Sequence, residues 1–252
     1  MQNTSGLWLQ RQTRLQGNSQ RKDGGNLGWN VQLRAPGFDD LITRGNGQMR
    51  VRNGANAFIY RGFPRRRDWK FGFDASLGLA GGLRSDAPYA WSASVNATHY
   101  FNDALNLELW LGHVTDQEQL IWQTGNLVAG FEMNRYDLGA SVNWNIGTRH
   151  ELRVKLEALG FDADQPRTWR IGGEGRPMAS TDEVSPFSLR NMGFQVRYRY
   201  ELAPLSNLYV VYGRGGFGFD DFAAGAFNQF SDAFSLRNDE QLLVKLAYRF
   251  EL

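Results

Sequence analysis

Apolar and polar residues alternate along much of this chain of 252 residues. In the C-terminal segment 242–252, every even position is apolar and the odd positions are mostly charged. Successive side chains of a β-strand point to opposite faces of the sheet, so the pattern predicts a strand with one apolar and one charged face. The same alternation recurs near 26–37, 67–80, 89–101, 127–146, 149–161 and 192–202. No comparable stretch shows the spacing of a helix.

The length of these segments favours a membrane protein over a soluble sheet. They run for about ten residues or more, whereas globular strands average about five or six and tilted membrane strands need about nine to eleven. The apolar faces end in aromatic residues, as at the two interfaces of a membrane barrel. These residues are Trp69, Trp91, Tyr136, Trp144, Tyr198, Tyr248 and Phe250. We predict an all-β, antiparallel transmembrane β-barrel of the outer-membrane type; a soluble sandwich with an aromatic core is the alternative.

The strand count predicts the organisation of the chain. Eleven strands are expected, near 5–16, 26–37, 48–61, 67–80, 89–101, 105–123, 127–146, 149–161, 192–202, 205–214 and 239–252. Bacterial single-chain barrels have even strand numbers. Either two strands are merged around 114–134, giving twelve, or the chain is the C-terminal part of a larger barrel, which the missing signal peptide favours. We treat 1–252 as a single barrel domain.

The connections between predicted strands alternate between long and short, as expected for extracellular loops and periplasmic turns. The longest span 162–191 and 215–238. The second is rich in aromatic residues: Phe217, Phe219, Phe222, Phe227, Phe230 and Phe234. These loops could enter the lumen, bind a surface ligand or pack on each other, and the last is slightly favoured.

Composition narrows the class of protein. Hydrophobic residues make up 42% of the chain and the mean hydropathy is −0.48, which is too polar for a helical membrane protein. The absence of cysteine excludes disulfides and thiolate metal sites. The net charge of +2, with no dominant basic cluster, argues against a nucleic-acid partner.

Charged residues on the inward face are the main candidates for function. Their opposite charges are expected to pair across neighbouring strands. An open lumen would use this wall to select solutes, with a mild preference for anions, whereas a plugged lumen would be closed by ion pairs. The candidate lumen-facing residues are Arg135, Asp137, Glu151, Arg153, Lys155, Glu157, Arg197, Arg199, Glu201, Lys245, Arg249 and Glu251.

Catalytic chemistry has little support in the sequence. His99, His113 and His150 have no spaced histidine or cysteine partners, so we predict structural or interfacial roles and no metal or cofactor. Ser141 and Asp137 share the inward face, but no histidine accompanies them as a base. We therefore predict no catalytic residues, and an outer-membrane hydrolase is only a minor alternative.

Several stretches resemble a known family. They are Phe38 to Gly45, Tyr136 to Ile146 before a tight turn, 196–200 together with 208–212, and the closing 243–250. Together they are similar to the C-terminal barrel of a poorly characterised bacterial envelope family. Its members carry a signal peptide, a domain like family 9 carbohydrate-binding modules, and an outer-membrane barrel. This chain lacks the first two regions and ends in Leu252 instead of an aromatic residue.

These observations predict a pore in the bacterial outer membrane for small polar solutes. The alternative is a plugged barrel that anchors an upstream domain or binds an extracellular ligand. Expected partners are membrane lipids and lipopolysaccharide, the barrel-assembly machinery during insertion, and an upstream domain or chain that completes the barrel.

Overall fold

The computed structural model describes residues 9, 11–79, 82–84, 86 and 88–250. Fourteen strands form within these residues, and most belong to one antiparallel sheet. The strands are β1 (Gln12–Gln20), β2 (Asn26–Arg34), β3 (Gly37–Asp39), β4 (Met49–Val51), β5 (Gly54–Gly62), β6 (Trp69–Leu79), β7 (Tyr89–Asn102), β8 (Leu105–Thr124), β9 (Leu127–Ile146), β10 (His150–Ile171), β11 (Pro177–Ser180), β12 (Phe187–Ala203), β13 (Ser206–Asp220) and β14 (Asp239–Ala247). A short 3-10 turn (Gly173–Gly175) follows β10, and one helix, α1 (Ala226–Ala233), precedes β14.

The main sheet is a meander whose strands follow one another in chain order, although short strands interrupt the chain between β2 and β5 and between β10 and β12. Its order is β1-β2-β5-β6-β7-β8-β9-β10-β12-β13-β14, while β11 pairs with β10 and β3 pairs with β4 in a separate hairpin. The predicted antiparallel architecture and the path of eleven strands are confirmed. Within the described residues β1 and β14 do not pair with each other, so the sheet is open at both edges.

Some predicted boundaries were wrong. Residues 114–134 do not contain an additional pair of strands. Strands β8 and β9 are each 20 residues long and meet there at a tight turn, where Gly125 has φ 49°. The twelfth strand of the sheet is β11, inside the predicted loop 162–191. Strand β1 spans Gln12–Gln20 and so continues past the predicted end at residue 16, while the predicted start at residue 5 lies outside the described residues. The predicted strand 48–61 is divided between β4 and β5.

Pairing between strands carries the alternation across the whole sheet. We call apolar face the side that carries Leu152, Val154 and Leu156 together with the residues paired to them, such as Trp144, Val142 and Ala140 of β9. The opposite side, which carries Glu151, Arg153 and Lys155, is the polar face. Because pairing joins residues on the same side, an alternating pattern in each strand becomes one continuous face.

Large apolar side chains on the apolar face are exposed on many strands. The exposed fraction is 62% for Leu15, 55% for Val95 and 63% for Val244. A water-soluble protein rarely exposes such an extended apolar surface, whereas a membrane barrel presents one to lipid. Further members of the surface are Leu33, Ile59, Phe71, Leu77, Leu79, Leu109, Leu111, Leu242 and Leu246.

The two faces exchange polarity near the far ends of the long strands, which are the ends away from the short turns. On the apolar face, Asp162, Arg190 and Asp220 occupy the positions beyond the apolar residues of β10, β12 and β13. On the polar face, Phe131 and Phe187 lie at the same end, where their ring centroids are 5.5 Å apart. This exchange marks where the apolar band ends.

The buried core lies at this far end, where the long connections are. The β3–β4 hairpin places Met49 and Val51 in a cluster with Leu83, Val128 and Ile171. A second cluster contains Ala129, Phe131 and Ala163. A third cluster, of Ala158, Met192, Ala233 and Leu236, lies lower on β10 and β12, where the segment before β14 covers the sheet.

Helix α1 was not predicted, and eight residues are too few for a helical pattern to stand out. The connection 221–238 does not enter the polar face, as one option proposed, but folds onto the apolar face. Ala233 and Leu236 pack there against Ala158 and Met192. No helix in the described part of the chain is long and apolar enough to cross a membrane.

Candidate functional site: the polar face

The polar face carries the predicted charged residues of β9, β10, β12 and β14. The alternation of the strands places Arg135 and Asp137 on β9, Glu151 to Glu157 on β10, Arg197 to Glu201 on β12 and Lys245 on β14. Arg249 lies beyond the end of β14, where its backbone N–H donates to Ser206 Oγ at 3.0 Å. Glu251 lies outside the described residues.

The charges pair mainly along strands, not across them as predicted. Arg135 and Asp137 are joined at 2.9 Å and Lys155 and Glu157 at 2.7 Å. Arg153 pairs with Glu151 in the same way. The register explains this difference, because Arg153 lies opposite Arg197 and Lys155 lies opposite Gln195, so neither has an acid across the strand. Residues two apart on a strand share a face and are within reach of long side chains.

One ion pair among the described polar-face residues crosses strands. Arg199 Nε lies 3.0 Å from a carboxylate oxygen of Glu151, and Glu151 also forms the ion pair with Arg153. Glu151 is therefore shared by two guanidinium groups, and its side chain is only 15% exposed. With two positive charges and one negative charge, this cluster leaves a local excess of positive charge on the polar face.

Arg197 and Lys245 are among the polar-face cations that have no carboxylate within ion-pair distance in the described part of the chain. Arg197 instead lies over the ring of Tyr209, with its guanidinium carbon 5.4 Å from the ring centroid. Lys245 lies opposite the same tyrosine in the neighbouring strand. A guanidinium over an aromatic ring is held by the negative face of the ring without losing its charge. This part of the wall therefore carries positive charge.

Glycines open a groove in the middle of the polar face. Register aligns Gly139, Glu157, Gly193, Gly215 and Asp239 in one row across five strands. Glu157, Gly193, Gly215 and Asp239 of this row line an open groove of about 640 Å³. Asn191, Gln195, Phe217 and Gln241 also line it. Gly139 lines a neighbouring depression together with Trp110 and Glu157.

Trp110 is a residue of this face that sequence reasoning missed. It pairs with Gly139, so its indole lies on the polar face beside the glycine row. The signal was present in β8, where Asn106, Glu108 and Gly112 alternate with leucines. An aromatic residue between two leucines resembles the continuation of an apolar run, so the alternation is hard to recognise there.

Ser141 and Asp137, the residues weighed for the minor hydrolase alternative, contact other side chains. Ser141 and Asp137 share the polar face, but the Ser141 hydroxyl donates to Glu108 at 3.4 Å and Asp137 accepts from Arg135. The histidines lie on the other face: His113 contacts the backbone oxygen of Arg135, and His150 lies 2.5 Å from the Tyr198 hydroxyl. No group of three or more histidine and acidic residues in the described ranges could hold a metal ion.

The predicted interfacial aromatics lie on the apolar face at two levels. Trp144 and Tyr198 lie at the level of the short turns, since both pair with Leu152. Tyr136 lies eight residues above Trp144 on β9, which is roughly 26 Å along the strand. A tilt of about 40° reduces this to roughly 20 Å of height, close to the band of about 25 Å in outer-membrane barrels. Trp69 belongs to the lower level and Trp91 to the upper one. Tyr248 and Phe250 follow the end of β14, where their ring centroids are 5.0 Å apart.

Known proteins match this chain in structure but not in sequence. No family model matches the sequence, and no curated protein matches it. Among solved structures, the FpvAI–pyocin S2 complex matches with a TM-score of 0.56 and 11% identity, over 85% of this chain and 36% of that chain. The copper transporter OprC matches with a TM-score of 0.48 and 13% identity, over 94% of this chain and 40% of that chain. The chain thus spans well under half the length of these neighbours, which are outer-membrane barrels, and its fold is that of an antiparallel transmembrane β-barrel wall.

Proposed function

We propose that the chain forms a barrel wall in the bacterial outer membrane along which small polar solutes, preferentially anions, pass or bind. The supporting observation is the continuous polar face with Arg197 and Lys245 left without acidic partners in the described structure. A fixed positive charge in a lumen attracts anions and lowers their entry barrier. The outer-membrane fold of the structural neighbour supports a role in transport or binding.

The glycine groove supplies the contact point for such a solute. Its floor leaves backbone and open space where other positions carry long side chains, and Glu157, Asp239 and Gln241 provide polar groups at its sides. Solutes that present both hydroxyl or amide groups and a flat face would meet hydrogen-bonding groups together with the rings of Trp110 and Phe217. The charge of the wall would then determine which solutes enter, and the shape of the groove would determine which of them bind.

Single-channel conductance in a planar bilayer tests this proposal. We expect steady conductance from the refolded chain, with a reversal potential in a salt gradient that shows anion preference. Arg197→Glu should shift the selectivity towards cations. Lys22→Glu, the same charge reversal in the turn between β1 and β2, is the matched control and should shift it less. Unchanged selectivity in Arg197→Glu would contradict the proposed role of the polar face.

A second candidate is a surface-binding barrel without conduction. The far end of the sheet favours it, since buried clusters hold the long connections there and three aromatic residues are exposed at the same end. These are Phe217 and Phe219 of β13 and Phe222 just after it. The structural neighbour FpvAI was solved in complex with pyocin S2, so that barrel binds a protein partner. A folded but silent chain in the bilayer assay would favour this candidate over the pore.

A further inference from the structure

Helix α1 occupies an unusual place for a loop segment of a barrel. It packs on the apolar face of β10 and β12, the face that carries the exposed apolar band. Gly160 of β10 makes this possible, because a Cβ there would overlap the backbone nitrogen of Phe230 and the carbonyl oxygen of Ala226. Helix and strand thus touch backbone to backbone.

Polar contacts fix the helix at the level where the apolar face becomes polar. The Gly225 N–H donates to Asp162 at 3.0 Å at the N-terminal end of the helix. Gln229, only 1% exposed, donates to Ser188 and Asp220 and accepts from Arg190. These partners lie just beyond the apolar band. The Arg214 guanidinium donates to the carbonyl oxygens of Phe234 and Leu236 at the other end.

The surface of α1 that faces away from the sheet has two different edges. Phe227 and Phe234 lie on one edge and are 63% and 40% exposed. Asn228 and Asp232 lie on the other edge and are also exposed. Because these pairs are offset by one or two positions on a helix, they form an aromatic edge and a polar edge side by side.

The aromatic edge continues the upper aromatic level of the sheet. Ring centroids are 4.9 Å apart for Trp91 and His113 and 4.3 Å apart for His113 and Tyr136. The row then passes to the helix, with 5.7 Å between Tyr136 and Phe227. Phe230 follows at 6.3 Å from Phe227 and contacts Phe234 at 5.5 Å. Aromatic residues at this level of a membrane barrel lie at the boundary between lipid and water.

We propose that α1 is an interfacial helix whose aromatic edge enters the acyl-chain region of the outer membrane leaflet while its polar edge stays in water. The occupant of this surface is lipid, since the surface is continuous with the apolar band of the sheet and ends where that band ends. The proposal rests on the transmembrane fold and is independent of solute passage. A short amphipathic segment at the interface needs only a few large apolar side chains to bind there.

Spin labels attached at single cysteines test the proposal, and the cysteine-free chain needs no background substitutions. Phe227→Cys and Phe234→Cys report the aromatic edge, while Asn228→Cys and Asp232→Cys are the matched controls on the polar edge. The labelled proteins are reconstituted in phospholipid vesicles, and their folding is verified by heat-dependent gel mobility. Collisions with oxygen, which partitions into lipid, are compared with collisions with a water-soluble nickel chelate.

We expect oxygen to dominate at 227 and 234 and the nickel chelate to dominate at 228 and 232. Nickel access at all four positions would place the whole helix in water and overturn the proposal. Low access to both reagents at 227 and 234 would show a protein cover, such as a second copy of the chain, and would overturn it equally. If the chain does not conduct in the bilayer but the labels show the expected pattern, the lipid contact of α1 is supported and only the pore is contradicted.

Discussion

Glu118 shows how a single carboxylate holds a loop to the sheet. It lies at the irregularity in β8 and accepts hydrogen bonds from the N–H groups of Leu83 at 2.7 Å and Arg84 at 2.9 Å. A side chain at Gly82 would overlap this carboxylate, so the loop has the residue that the contact requires. The face of each strand residue could be predicted from the alternation. This partnership could not, because it depends on a bulge and on a loop 35 residues away.

Glu118→Ala should release this loop. Loss of hydrogen bonds to a buried charged acceptor costs about 1–3 kcal/mol, and here the cost falls on the local segment. We expect faster trypsin cleavage after Arg84 in the folded protein. Glu183→Ala, which removes an exposed acid from another loop, is the matched control and should leave that cleavage unchanged. Equal cleavage in wild type and Glu118→Ala would show that Glu118 does not hold the loop.

The same loop contains a group with a lowered pKa. The Arg84 side chain donates a hydrogen bond to Asp86 and lowers the pKa of that carboxyl to about 2 from an ordinary value of 3.8. A lowered pKa in the folded state means that the ion pair stabilises the loop above about pH 4 and loses this effect as the pH falls towards 2. A carbon-13 NMR titration of the Asp86 carboxyl should show a midpoint near the lower value. In Arg84→Gln the midpoint should return towards 3.8, and a wild-type midpoint already near 3.8 would contradict the pairing.

Strands and the helix differ in how far local sequence determines them. The long strands were predicted because alternation over ten or more positions is a strong signal, as in β9 and β12. Their far ends were underestimated: β10 runs to Ile171 and β13 to Asp220, beyond the level where polarity changes faces. Helix α1 depends on contact with Gly160 and on Gln229, which no pattern within residues 226–233 reveals.

Gly160→Val should detach α1 from the sheet. The added side chain has no space between the strand and the helix backbone, and overpacking of this kind costs about 1–3 kcal/mol. Hydrogen exchange should quicken in residues 225–236 while the amides of β9 and β10 stay protected. Gly193→Ala is the matched control because nothing lies within 4 Å of a Cβ at that position. Protection of α1 that is unchanged in Gly160→Val would show that the close contact is not needed.

At the scale of the whole molecule, two continuous faces result from one repeated pattern. The sequence predicted which residues share a face, but the glycine groove became visible only when register aligned Gly139, Gly193 and Gly215. The two open edges of the sheet, at β1 and β14, are also a property of the whole molecule. Unpaired backbone groups at β1 and β14 are costly in lipid, so in the membrane each edge needs a partner strand. Pore width, and therefore conduction, depends on the strand number that closes the wall.

Every role proposed for this chain requires lipid on the apolar face and water on the polar face. A cysteine scan of β12 measures this placement at Gln195, Val196, Arg197, Tyr198 and Arg199. Each variant is reconstituted in vesicles and treated with a water-soluble maleimide. We expect labelling with a period of two, fast at 195, 197 and 199 and slow at 196 and 198. Labelling without this period, or with the opposite phase, would contradict this placement.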